Sequence, residues 1–336
     1  MLMLAVKLIK PFEVRVDDIP PVQPELGEAL IKVKAAGICG SDIAAYRGVN
    51  PLVSYPRVIG HEIVGEVLEC PENDRGIRPG DKVIVEPYLY CGECYPCSIG
   101  RTNCCENLKV RGVHVDGGMS ELVAHPVDLL YKIEGIESWE EMVMIEPLSI
   151  ALHGLRRAKV RKDEHVLIFG GGQIGQLALQ AAGAMGARPI LVEPLESRRK
   201  LAIKLGAERA IKPEEVSRLD LKPPVAIEAS GAPQALLSAI SAVSHAARIS
   251  MIGWAKGEIP IETASLIRKE IDLLGSRNSV GEFGTAMEMI ADGKVNVKPL
   301  ITEVVSIDKV PDALKRISDE PGRFIKIIVK NHEAQT

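Results

Sequence analysis

The 336-residue sequence has no excess of positive charge: 41 Lys and Arg stand against 45 Asp and Glu, for a formal net charge of −4. That balance argues against a broad polyanion-binding face and leaves room only for a local basic patch. No basic region precedes the opening apolar run M-L-M-L-A-V, and Lys7 interrupts the run early, so an export signal is not expected. Internal repeats, low-complexity tracts and long linkers are also missing. One uncharged run, 166–187, has the 22 residues a membrane span would need. It contains six glycines, four of them within 170–175, and follows a charged stretch. A soluble strand, turn and helix is therefore expected there, with no membrane association.

What is present is length enough for two domains with substantial cores, and seven cysteines, four of them in one short run. An odd count without an export signal points to a reducing, cytoplasmic location, where metal binding is favoured over disulfides.

The first ~145 residues read as mostly β, with short runs such as 29–33 and 82–85 separated by Gly, Pro and Asp turns. From about 150 to 275 strand-length apolar runs at 165–169, 189–193, 225–229, 248–253 and 271–274 alternate with helical segments such as 197–205, which ends at Gly206. That alternation predicts a parallel sheet covered by helices on both faces. A helix-like segment at 285–291 and a strand-like end at 324–329 follow.

The run H-V-L-I-F-G-G-G-Q-I-G-Q-L-A-L places Gly170, Gly172 and Gly175 as G-x-G-x-x-G directly after a strand pattern. In that context the first glycine permits the tight turn, the second lets a pyrophosphate approach, and the third lets helix and strand pack. The helix start, with Gln173 and Ile174, would face the phosphates with unpaired N–H groups. Glu193 follows at the end of the next strand run, where a carboxylate would bind ribose hydroxyls and repel a 2′-phosphate, favouring NAD over NADP. Arg198 and Arg199 lie close behind and could neutralise a phosphate.

C-G-E-C-Y-P-C-S-I-G-R-T-N-C-C places Cys91, Cys94, Cys97 and Cys105 in a spacing that closes a four-sulfur shell around Zn2+. No position is left for water, so this zinc should brace a lobe. Spacing alone leaves Cys104 or Cys105 as the fourth ligand. A second set, Cys39, His61-Glu62 and Glu146, is dispersed, and composition and periodicity do not join its members.

These motifs together resemble the zinc-containing medium-chain dehydrogenases from end to end. The resemblance is carried by G-I-C-G-S-D at 37–42, G-H-E-I-V-G at 60–65, G-D-K-V at 80–83, the cysteine lobe and the Gly170 turn. E-P-L at 146–148, G-V-H-V-D-G-G-M-S-E at 112–121 and G-K-V-N-V-K-P-L-I-T at 293–302 are most similar to the sorbitol, sugar-alcohol and sugar-acid branch. The resemblance implies an α/β fold in which a GroES-like, mostly-β catalytic domain, 1–147 and 280–336, carries the structural-zinc lobe at 88–107. A Rossmann doubly wound parallel-sheet domain, 148–279, completes it, with the cofactor in the cleft between.

The resemblance also implies that Cys39 and His61 bind a catalytic zinc, with Glu62, Glu146 or both completing the shell. The expectation is two zinc ions per chain. An oxygen donor at Glu146, where alcohol-oxidising relatives carry a thiolate, should leave the zinc more electrophilic and more tolerant of a vicinal diol. Zinc lowers the pKa of a bound hydroxyl from ~16 towards ~7, Ser41 matches the hydroxyl that accepts or passes the proton, and the nicotinamide takes the hydride.

Two positions depart from the family pattern. Ala44 stands where many relatives have a proton-relay histidine, so a water chain from Ser41, near Asp42, is expected instead. Pro71 replaces a small residue and should alter a turn. Arg277 resembles an arginine that holds polyols in this branch, and Arg47 offers a fork to an anion or is a solvated loop charge. The expected reaction is NAD-dependent oxidation of a secondary alcohol of a polyol or sugar acid, such as a hexonate, by a homodimer or homotetramer. A threonine or simple alcohol dehydrogenase of the same family is the alternative. A zinc-ribbon nucleic-acid-binding protein is the reading from another class, against which stands the lack of a basic–aromatic run near the lobe.

Overall fold

The computed structural model describes residues 2–255 and 257–332. Residues 1 and 333–336 of the expected catalytic segments lie outside the described residues. The chain divides into two compact units, one running to Glu146 and resuming at Leu300, the other Pro147–Pro299. Residues 280–299, which the sequence assigns to the catalytic segment, pack with the second unit.

The first unit is built on a seven-stranded mixed sheet. Its order by residues is Leu130–Lys132, Lys82–Val85, Glu62–Glu69, Glu28–Ile38, Lys326–Lys330, Ile301–Ser306, with Leu122–Pro126 also paired to Glu28–Ile38. The long Glu28–Ile38 strand carries alternating buried positions, but its register shifts between Val33 and Ala35. The shift moves the inward set from odd to even positions, because side chains alternate with a period of two. Ala29, Ile31 and Val33 therefore join one core cluster with Ile63, Val67, Val83 and Val85. Ala36 and Ile38 join another with Leu8, Ile43, Ile59, Leu314 and Ile327. Gly37 then lies on the opposite face from Ala36 and Ile38, directly across from Glu62 in the ladder.

The second unit is a six-stranded parallel sheet in the order Arg209–Ile211, Arg188–Val192, His165–Phe169, Val225–Glu228, Arg248–Met251, Asp272–Gly275. The inner strands are almost wholly buried, as expected where helices cover both faces. The strand order reverses at His165–Phe169, the switch point where open α/β sheets bind ligands beyond the strand ends. The uncharged 166–187 run resolves into that strand, a glycine turn and the helix Gln173–Ala184. Among the described residues no helix is long and apolar enough to cross a membrane.

Candidate metal centres and nucleotide turn

In the first unit the four-cysteine lobe closes on itself. The short helix Tyr95–Ser98 begins at Cys94, and the turn Thr102–Cys104 delivers Cys105 from the other side. Sulfur separations are 3.4 Å for Cys94–Cys97, 3.5 Å for Cys91–Cys105 and 3.8 Å for Cys94–Cys105. Four sulfurs at ~2.3 Å from one zinc would stand ~3.8 Å apart in a tetrahedron, so little movement is needed. Cys104 is excluded from the set, and its sulfur lies 3.5 Å from Arg101 Nη2. The open question between the two neighbours is thereby answered for Cys105. N–H groups of Glu93 and Cys94 bring the Cys91 thiol down to about 6, whereas partial burial and the neighbouring Cys94 push Cys97 up to about 12. Once deprotonated, four sulfurs this close would suit one divalent cation between them. Cys105→Ser is expected to lose one metal equivalent and lower the Tm by roughly 5–10 °C, while Cys104→Ser keeps both metals; metal analysis and a thermal scan check this.

Three of the four dispersed residues come together. Ligand atoms of Cys39, His61 and Glu62 lie within 4.8 Å of one another. Cys39 caps the helix Gly40–Tyr46, and the Asp42 carboxylate accepts a hydrogen bond from Cys39 N at 2.9 Å, the reciprocal half of a capping box. The S-D of the sequence motif thus fixes the loop that carries the thiol. The other Asp42 oxygen is 3.9 Å from His61 Nδ1, which favours the proton on that nitrogen and leaves Nε2 to a metal. Asp42 is buried, bonds the backbone at Cys39 and lies near His61, next to Ser41 where the water chain was expected. Ser41 Oγ stands 3.5 Å from His61 Nε2, on the side where a ligand would sit.

Glu146, at the start of the helix Ile145–Arg157, stands outside the three-donor set. It is fully buried, accepts a short hydrogen bond from the Tyr88 hydroxyl, and is pushed up to about 7 by burial. Burial works against charge on His61, yet the neighbouring Cys39 and Asp42 hold it well above the usual histidine range. Cys39, Asp42 and Glu146 all act on His61, and Glu62 beside them is paired with the Lys326 ammonium. Such a set is short of positive charge, and a divalent ion with mixed sulfur, nitrogen and oxygen donors fits it.

The sequence gives no role to Lys326. Its ammonium is buried and sits 2.7 and 2.5 Å from the two Glu62 oxygens and 3.0 Å from Ile38 O. Removing one partner of such a buried pair costs about 3–5 kcal/mol. A signal existed: a lone lysine in the apolar run F-I-K-I-I-V is a charge that a central strand can hold only with a partner. Tyr88 offered no comparable signal.

Arg47 is drawn to the end of the helix Val310–Asp319, where its guanidinium bonds Ser318 Oγ at 3.0 Å and Ser318 O. Of the two expectations for Arg47, an anion fork or a solvated loop charge, neither includes this use of the guanidinium at a helix C-terminus. Arg277 is exposed and belongs to the second unit.

In the second unit Gly170 takes φ +97° after the His165–Phe169 strand, and Gly172 caps the helix Gln173–Ala184. A Cβ on Gly172 would meet nothing within 4 Å, leaving space over the helix start, whereas one on Gly175 would lie 1.8 Å from Gly170 O. Gln173 Nε2 is buried without a hydrogen-bond partner, a donor left over at the same turn. Ile174 follows on the first helical turn. Glu193 is buried and accepts from Gly171 N at 2.6 Å and Leu195 N at 2.8 Å, so it braces the turn with lone pairs remaining for a ribose. The Arg198 carbonyl accepts the Gln176 amide at 2.9 Å. Arg199 bonds Glu193 O at 2.7 Å.

Residues 25–135 match the alcohol dehydrogenase GroES-like domain and residues 174–292 the zinc-binding dehydrogenase family. An uncharacterized zinc-type alcohol dehydrogenase-like protein of Haemophilus influenzae is 45% identical over 96% of this chain and 97% of its own. L-galactonate-5-dehydrogenase of Escherichia coli is 36% identical over 83% and 84%. The crystal structure of an Escherichia coli CFT073 alcohol dehydrogenase complexed with NADH superposes with a TM-score of 0.92 at 32% identity, covering 98% and 99% of the two chains.

Proposed function

The chain belongs to the zinc-containing medium-chain alcohol dehydrogenase family, and from that premise we propose that it oxidises a secondary alcohol of a polyol or sugar acid with NAD. The observation that carries the reading is the Cys39–His61–Glu62 donor set beside the Ser41 hydroxyl. Similarity to a sugar-acid dehydrogenase supports the substrate class.

Cys39 Sγ and His61 Nε2 would hold the catalytic zinc, with Glu62, Glu146 or both completing the shell directly or through water. When bound, zinc supplies the Lewis acidity that eases loss of the substrate hydroxyl proton, and the nicotinamide supplies the hydride acceptor. Ser41 stands where it can take that proton and pass it outward. No histidine follows at Ala44, so the onward path is water. The Asp42 carboxylate, 3.9 Å from His61 Nδ1, would favour the tautomer that presents Nε2. A second zinc would brace the lobe through Cys91, Cys94, Cys97 and Cys105.

Gly170, Gly172, Gln173, Ile174 and Gly175 would cradle the pyrophosphate, and Glu193 would bind the ribose hydroxyls and disfavour NADP, with Arg198 close behind it in the sequence. Arg277 is the candidate polyol contact. The seven cysteines are all free thiols, in keeping with action in the cytoplasm, and a homodimer or homotetramer is the assembly this reading carries.

The test is a screen of zinc-loaded protein for NADH absorbance on hexonates, polyols, threonine and short alcohols. The fastest turnover is expected on a hexonate or polyol, with NAD preferred over NADP. Fast turnover of threonine, with none on any polyol or sugar acid, overturns the substrate class.

A further inference from the structure

The contact between Glu62 and Lys326 joins residues 264 positions apart, and it uses every donor the ammonium has: two bonds to the carboxylate and one to Ile38 O. The same carboxylate lies over Gly37, where a Cβ would fall 1.7 Å from Glu62 Oε2 and 2.8 Å from its Cδ. Gly37 and Glu62 face each other across the ladder, and Lys326 opens the strand on the other side of Gly37. Glu62 is therefore seated in a niche that a bare glycine creates and a buried lysine closes. Its ligand atom is still within 4.8 Å of Cys39 and His61.

Charge gives the seat a consequence. A dication among the Cys39 thiolate and the Asp42, Glu62 and Glu146 carboxylates would leave buried negative charge in excess, and Lys326 offsets one unit of it at Glu62. With the lysine present, Glu62 divides its attraction between ammonium and metal. Without it, a buried carboxylate has only the metal to turn to.

We propose that Lys326 and Gly37 are positioning residues that hold Glu62 back from the metal, so that the ion keeps an open place for substrate. The proposal rests on the metal reading of the Cys39 site. Lys326→Met should then bind the metal more tightly, because the metal-free form loses stability while the loaded form gains a ligand. Gly37→Ala should act in the same direction with the lysine intact, by forcing the carboxylate out of its niche. Ordinary support of a ligand by an outer partner makes the opposite prediction, a weaker site.

The experiment uses full-length protein with cobalt(II) in the Cys39 site and zinc in the lobe, challenged with excess EDTA. Release is followed by the visible cobalt bands, whose intensity also reports coordination number. Release is expected to slow by about 10-fold or more in Lys326→Met and Gly37→Ala, given the 10–100-fold leverage of outer-shell groups, with weaker bands from the added ligand. Lys326→Arg should restore the wild-type rate, and Glu62→Gln in the Lys326→Met background should cancel the slowing. Should Lys326→Met fail to fold, Gly37→Ala carries the test. Unchanged or faster release in the folded variants overturns the proposal. A chain that takes up only the lobe metal, with or without Cys39→Ser, overturns the metal reading itself.

Discussion

Cys39→Ser is expected to lower kcat/KM by on the order of 10^3-fold or more and to remove one of two zinc ions, leaving the lobe metal in place. The size follows from the several kcal/mol of transition-state stabilisation that a Lewis-acid ion supplies, at 1.36 kcal/mol per tenfold in rate. Serine keeps the helix cap, since an N-cap hydroxyl serves the first turn well, and Asp42 still accepts from the backbone N at position 39. What it cannot supply is a thiolate, and a serine hydroxyl stays protonated at neutral pH. His61 and Glu62 remain, but Glu62 is held by Lys326, so the site is left with one strong donor. Metal analysis and steady-state rates check the result. A variant that keeps both metals and within tenfold of wild-type activity would remove Cys39 from the site.

The second large effect is at the nucleotide turn. Gly175→Ala places a methyl 1.8 Å from Gly170 O, a backbone atom that no rotamer change can move aside. The turn must shift by an ångström or more, and misplacement on that scale costs about 100-fold in a positioned contact. NADH affinity, read by fluorescence titration, is expected to fall by that factor. Stability should fall by about 1–3 kcal/mol, the usual cost of overpacking. Gly183→Ala is the matched control. It lies in the last turn of the same helix with nothing within 4 Å of its Cβ, so alanine there should be neutral or add up to about 0.5 kcal/mol of stability. NADH binding that survives Gly175→Ala unchanged would mean that the dinucleotide does not use this turn.

Local chemistry was legible along the chain because its causes are local. The four-cysteine lobe lies within fifteen residues, and loop spacing alone brings three of its sulfurs together. The glycine turn announces itself because backbone conformation and close approach leave no other residue possible at Gly170 and Gly175. The strand at 165–169 and the helix near 197–205 follow from apolar runs and caps. The capping box from Cys39 to Asp42 is also short-range.

The remainder depended on which strands became neighbours. Cys39, His61 and Glu62 come together because the Glu28–Ile38 and Glu62–Glu69 strands lie side by side, with Lys326–Lys330 next to the first, and strand order is set by burial of whole faces. Lys326 finds Glu62 only through that order. Arg47 turns to Ser318 because the helix Val310–Asp319 ends beside it, a contact across 271 positions that no local pattern encodes. Residues 280–299 likewise join the second unit through long-range contacts, such as Glu282 with His153 at 2.9 Å and Asn296 with Gln180 at 2.8 Å. Ligand types and turns are dictated by side-chain chemistry and backbone sterics acting over a few residues. Charge pairing in the core is decided by register and packing between segments hundreds of residues apart, and so it emerges only when the sheet has formed.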